Sequence, residues 1–182
     1  PILQAMASAN HKFTGCLYAG LMLTNKGPKV LEFNCRFGDP ETQVVLPLLK
    51  SDLLELMLAC CNGTLAEQPP LEWNDGYAVC VVITAKPYPE KPRSGELITG
   101  LDLAAAQPDT LVFHAGTSGD AGAYFTAGGR VVNVVALREN FFDAQSSAYG
   151  GVSLVHFDSM QYRRDIGYRV ADHFNHIEFL EG

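Results

Sequence analysis

The run LEFNCRFGDPETQ, residues 31 to 43, constrains the fold more than any other stretch of the chain. Val30, Leu31 and Phe33 favour an extended segment, and in an extended segment residues two apart point to one face, so Glu32 and Asn34 are predicted to project side by side. Arg36 follows on the same parity. Gly38 then allows a turn, Asp39 has the chemistry of a helix N-cap, and Pro40 suits a first helical position. The run therefore predicts a strand-to-helix corner, with the helix starting beside the polar side chains. Upstream, Cys16 to Leu23 and Lys29 to Cys35 read as two strands of a hairpin joined by Asn25-Lys26-Gly27-Pro28.

A carboxylate beside an amide carbonyl is a hard-oxygen pair suited to magnesium, which takes one or two protein ligands and completes its octahedron with water and phosphate oxygens. A guanidinium at Arg36 would hold a phosphate or carboxylate through paired hydrogen bonds, or stabilise charge that develops in group transfer. E-x-N is short, and by itself it also fits a solvated strand face. The longer string is specific. Together with GCLYAGLMLTNKGPKV, residues 15 to 30, it closely resembles the end of the ATP-grasp domain in the phosphoribosylamine–glycine ligase family. Ser51-Asp52-Leu53-Leu54, Phe113-His114-Ala115-Gly116-Thr117, Gly128-Gly129-Arg130-Val131 and Tyr162-Arg163-Arg164-Asp165-Ile166-Gly167 extend that resemblance over nearly the whole chain.

The resemblance implies an α+β chain: the carboxy-terminal part of an ATP-grasp antiparallel sheet with helices, residues 1–67, followed by a small mixed α/β C-terminal domain, residues 68–182. It implies ATP and Mg2+ (or Mn2+) as cofactors, with Glu32 and Asn34 as metal ligands and Leu21 and Leu23 in contact with the nucleotide. Arg36, Asp39 and Glu41 become the groups nearest the substrates. Those substrates are glycine and 5-phosphoribosylamine, joined at the expense of ATP in purine biosynthesis. A glycine-rich flexible loop, a lysine over the phosphates and an amino-terminal domain are not in these residues, so the expected partner is the missing N-terminal part of the same enzyme.

Two departures narrow the chemistry. Carboxylating relatives of the biotin-carboxylase kind carry another metal-binding glutamate on the preceding strand, where the simplest alignment puts Gly20 here. They also place a glutamate and an arginine on a later strand, where this chain offers Cys80 and Val82. Carboxylation is the disfavoured alternative; a non-catalytic binding or docking fragment is the other.

Composition sets the outer limits. With 182 residues and 47% hydrophobic content, the chain has enough apolar mass for one good core or two small ones. A net charge of −7 argues against nucleic acid as a partner, since that requires a basic patch, though a bound metal still allows a nucleotide. The apolar stretches are too short for a membrane span and no secretory leader is evident, so a cytoplasmic setting is expected. Five cysteines without a C-x-x-C pair fit reduced thiols better than disulfides or zinc. His173 and His176 share a helical spacing and read as part of a solvated tail.

Further along, Pro47 predicts a helix break near Leu46, and a second helix is expected from Asp52 to Cys61, opened by an Asp52/Glu55 capping box and closed by Asn62-Gly63. Strands are expected at Ala78 to Thr84, Thr110 to His114, Arg130 to Ala136 and Val152 to His156, with a helix from Asn140 to Tyr149. The proline-rich loop from Lys86 to Gly100 has the length of a functional or mobile segment, but Pro87 stiffens it against a lid role. Gly128-Gly129-Arg130 lacks a P-loop lysine and reads as a strand start, and Arg163-Arg164-Asp165 as a surface ion pair.

Overall fold

The structure, a computed structural model, describes residues 2–120 and 122–171; His173 and His176 lie outside the described residues. The chain divides into two compact units, Pro1–Thr42 with Leu49–Asn74, and Gln43–Leu48 with Asp75–Gly182. Helices and antiparallel sheets occupy both, so the α+β expectation holds.

The first unit opens with a short helix, α1 (Ile2–Ser8), and then forms the antiparallel hairpin β1 (Tyr18–Thr24) and β2 (Gly27–Asn34). The turn is shorter than expected. Gly27 adopts a left-handed φ of 87° and pairs with Thr24, leaving Asn25-Lys26 as a two-residue connection. Thr24 Oγ1 tightens it by donating to the Gly27 carbonyl at 2.7 Å and accepting from the Lys26 N–H at 3.2 Å.

Beyond the hairpin the predicted helix start needs correction. Residues 39–41 form a turn, and α2 runs from Thr42 to Leu48. Asp39 is therefore not its N-cap and Pro40 not its first residue; instead the Thr42 N–H bonds the Gly38 carbonyl at 3.1 Å, and its hydroxyl donates to the same oxygen. The helix passes through Pro47 and ends one residue later, because a proline in the last turn removes only one ladder bond. The helix α3 (Leu53–Asn62) matches its signals closely. Asp52 caps it by accepting from Leu54 and Glu55 N–H, and Gly63, at φ 76°, closes it in the left-handed conformation. The segment after a 3-10 turn (Leu65–Glu67) then returns, with the Lys50 and Ser51 N–H groups on the Glu72 carbonyl.

In the second unit come β3 (Tyr77–Ala85), β4 (Leu97–Ile98), α4 (Leu101–Ala105), β5 (Thr110–His114), β6 (Thr117–Asp120), β7 (Ala123–Thr126), β8 (Arg130–Arg138), α5 (Phe141–Val152) and β9 (Met160–Gln161). The order β5-β8-β3-β9 makes one sheet and β4-β7-β6 another. Val81 pairs with Val134 and Ile83 with Val132, all fully buried. Over them lies the Phe141, Ala144, Ala148, Val152 face of α5, whose spacing of three and four is helical. That spacing explains a missed boundary: Val152 belongs to the helix's last turn, so the expected strand at Val152 to His156 is a turn followed by a single bridge from His156 to Thr99. Short apolar runs of this kind do not reveal their period.

The Lys86–Gly100 loop is fastened at several points. Lys86 N–H bonds the Ser159 carbonyl at 2.8 Å and Gly95 N–H the Thr126 carbonyl at 2.6 Å, while Glu96 accepts from both the N–H and the hydroxyl of Ser159 at 2.7 Å. Those two bonds hold the Glu96 carboxyl below its ordinary pKa. Gly128-Gly129 does lead into a strand, and Arg163 grips Asp165 through two bonds of 2.9 and 2.6 Å, as expected of a surface pair.

Two glycines of the second unit should respond oppositely to alanine. At Gly100, φ is 80° and an added Cβ would lie 1.8 Å from the Leu154 carbonyl oxygen, so Gly100→Ala should destabilise by more than about 1 kcal/mol. At Gly150, inside α5 with open space around it, Gly150→Ala should stabilise by about 0.5–1 kcal/mol. Chemical denaturation of the two variants checks both signs.

Candidate functional site

The site grows from a single irregularity in the hairpin. Gly20 pairs with Glu32 but Leu21 pairs with Val30, so Leu31 is an extra residue on β2 and the alternation of that strand shifts by one. On one face this leaves Tyr18, Gly20 and Met22 of β1 with Asn34, Glu32 and Lys29 of β2. Ala19, Leu21 and Leu23 share the other face with Phe33 and Val30. Without the bulge, Val30 would have stood on the carboxylate's face.

Glu32 and Asn34 are neighbours as predicted. Asn34 Nδ2 donates to Glu32 Oε1 at 2.9 Å, and the pair is open to solvent. Gly20 makes the room: a Cβ there would sit 3.1 Å from Glu32 Cγ and 3.6 Å from Tyr18 Cε1. The donor set fits a divalent cation of the hard kind, one carboxylate and one amide oxygen with open space for water and phosphate. Among the described residues no group of three or more His, Cys, Asp or Glu that could hold a metal ion is gathered.

The corner brings a further carboxylate to this face. Tyr18 Oη donates to Glu41 Oε1 at 3.0 Å, and Gly38 lies against both: a Cβ on it would fall 2.5 Å from Glu41 Oε2 and 3.3 Å from Tyr18 Cδ2. The Tyr18 phenol is held above its ordinary pKa, first by the bond to Glu41, then by loss of water, then by the negative charges of Glu41 and Glu32. Tyr18 was not singled out from the sequence, since one tyrosine in a strand has no distinctive spacing. Its only sequence signal is its parity with Gly20.

The other expected residues are placed less centrally. β2 ends at Asn34, so the parity argument does not reach Arg36, whose Nη1 donates to the Phe37 carbonyl at 2.9 Å. Asp39 lies in the turn before α2. Leu21 and Leu23, 53% and 82% exposed, stand on the face opposite Glu32 and Asn34, and Met22 takes the site side. In the second unit His114 Nδ1 bonds Thr117 Oγ1 at 2.9 Å and its ring lies 4.5 Å from that of Tyr124, the arrangement of a strand-end cap.

Solved structures share this fold at low sequence identity. N5-carboxyaminoimidazole ribonucleotide synthetase from Thermotoga maritima overlays 87% of this chain and 41% of its own with a TM-score of 0.56 at 16% identity. Residues 1–42 match the ATP-grasp (A) domain of phosphoribosylglycinamide synthetase, which sets the hairpin corner within an ATP-grasp domain. Residues 78–169 match the C domain of the same synthetase, and the chain belongs to the phosphoribosylglycinamide synthetase family. Phosphoribosylamine–glycine ligase from Synechocystis is 49% identical over 93% of this chain and 40% of its own length. The trifunctional purine biosynthetic protein adenosine-3 of Gallus gallus is 49% identical over 92% of this chain and 17% of its own. The structure of phosphoribosylamine–glycine ligase from Thermotoga maritima matches 82% of this chain and 36% of its own, with a TM-score of 0.69 and 37% identity. The chain thus spans about two-fifths of the length of the curated single-function relatives.

The Tyr18–Glu41 bond is open to direct measurement. In Glu41→Gln the largest cause of the phenol's raised pKa is gone, so Tyr18 should titrate closer to its ordinary value; an NMR titration of ring-labelled tyrosine, assigned with Tyr18→Phe, would show the drop.

Proposed function

We propose that this chain is the carboxy-terminal part of a phosphoribosylamine–glycine ligase, in which ATP activates the glycine carboxylate and the amine of 5-phosphoribosylamine displaces phosphate to give glycinamide ribonucleotide and ADP. The observation that carries the reading is the neighbouring Glu32 carboxylate and Asn34 amide, joined by a 2.9 Å bond from Asn34 Nδ2 to Glu32 Oε1 on an open face where Gly20 leaves room, in a chain of this family. Magnesium, held there by Glu32 and Asn34, would supply charge neutralisation for the transferring phosphoryl group.

The chain's own residues then have distinct tasks. Glu32 and Asn34 fix where the phosphates lie relative to the carboxylate under attack. Arg36, once turned from the Phe37 carbonyl, offers a planar fork to the acyl phosphate or to the tetrahedral adduct that the amine forms from it. Asp39 and Glu41 orient nitrogen. The step balances: the bond between the γ-phosphorus and the ADP oxygen breaks as one to the glycine carboxylate forms, and the later carbon–nitrogen bond forms as phosphate leaves with the carbon–oxygen electron pair, the proton lost by the amine going to the departing phosphate.

Leu21, Leu23, Val30 and Phe33 form an exposed apolar face on a two-stranded hairpin, an arrangement that is marginal unless something covers it. This supports the amino-terminal part of the same enzyme as the partner, with nucleotide contacts of Leu21 and Leu23 made only through it. The net charge is −7, no helix among the described residues is long and apolar enough to cross a membrane, and the five free thiols suit the cytoplasm. The corresponding isolated 182 residues, lacking the rest of the cleft, should show little or no Mg-ATP heat in calorimetry.

In the full-length enzyme, Glu32→Gln should reduce glycine-dependent ADP release by an amount on the order of several kcal/mol of transition-state stabilisation, and near-normal release would remove the metal assignment. Arg36→Lys should also lose most activity, because a point charge does not replace a fork.

A further inference from the structure

We propose that Tyr18 is a positioning residue that holds the Glu41 carboxylate beside the Glu32–Asn34 pair to receive the α-ammonium of the amino-acid substrate. The inference rests on the ligase reading and assigns the group that distinguishes an amino acid from other small carboxylates.

Tyr18 is held on two sides. Its ring lies against the bare Cα positions of Gly20 and Gly38, where added Cβ atoms would come within 3.6 and 3.3 Å of ring carbons. It is the cross-strand partner of Asn34, and its hydroxyl donates to Glu41 Oε1, 3.0 Å away. One Glu41 oxygen is thereby occupied and the other lies over Gly38. A carboxylate fixed in place by a phenol hydrogen bond offers a preorganised partner for a cationic nitrogen.

The charge pattern of the substrate suits this arrangement. When an amino acid presents its carboxylate at the Glu32–Asn34 pair, its ammonium stands one carbon away, and a second fixed negative charge is the complement that a hydroxy acid or a simple carboxylate would leave unused. Under the ligase reading, Mg2+ would be held by Glu32 and Asn34 and would not call on Glu41. Glu41, tied to a phenol, is the more natural ammonium partner.

The test uses the full-length enzyme and begins with the wild type. Absence of glycine-dependent ADP release there would defeat the ligase reading itself, and this proposal with it. Given an active wild type, Tyr18→Phe should raise KM for glycine about tenfold, as expected for loss of a hydrogen bond to a charged group, with kcat and the Mg2+ dependence nearly unchanged. Glu41→Gln should raise the same KM at least as much. The double variant should be no worse than Glu41→Gln alone, because Tyr18 acts through Glu41. Discrimination of glycine from glycolate should narrow in parallel. An unchanged glycine KM in Tyr18→Phe overturns the proposal. So does a shift in Mg2+ dependence, which would put Glu41 on the metal, or a uniform loss of kcat with a lowered melting temperature, which would make the phenol a structural brace.

Discussion

Everything at the candidate site depends on the register of one hairpin. The extra residue at Leu31 lets a single strand present an apolar side chain, Val30, to one face and a carboxylate, Glu32, to the opposite face, although strict alternation would put them together. A bulge costs ladder bonds and is kept where a side chain has to be re-aimed. Here it separates an oxygen-bearing face from an oily one within a ribbon two strands wide.

That separation explains why the hairpin leaves so much apolar surface open. Two strands have no interior of their own, so Leu21, Leu23, Val30 and Phe33 gain burial only from something laid over them. The second unit differs. Its sheet carries valines on adjacent strands under α5, and the buried residues Val81, Ile83, Val132 and Val134 lose all contact with water, each worth about 1.5–3 kcal/mol. Self-sufficiency of packing in one unit and incompleteness in the other fit a chain that spans only part of its relatives' length.

Much of this was legible in the residues, for reasons that differ by element. Asp52 and Gly63 announce α3 because caps act within a few residues of chain, and Thr110 to His114 announces β5 because Thr110, Val112 and Phe113 are strand-favouring residues. The start of α2 was misread because Asp39-Pro40 has the composition of a helix entry, while the bond that sets the entry comes from Thr42 to the Gly38 carbonyl. Val152 was misread as a strand because VSLV is too short to show whether its period is two or 3.6. At the site, Glu32 and Asn34 followed from parity alone. Parity failed for Arg36, since β2 had already ended, and it failed to warn of Leu31, since a bulge is a property of the pair of strands and not of either sequence.

The electrostatics of the corner run the same way as its geometry. Glu32 and Glu41 both act on the Tyr18 phenol in the direction of disfavouring its anion, as two carboxylates near it do. A negative face repels a nucleotide's phosphates unless a cation is interposed, and the chain's net charge of −7 gives no general attraction to offset this. On that face the Glu32 carboxylate and the Asn34 amide are neighbours, joined by the bond from Asn34 Nδ2 to Glu32 Oε1, and under the proposed function a divalent ion would sit there. Acidic residues that would repel a nucleotide by themselves would thus help to bind it under the proposed function, once the ion's own charge is counted.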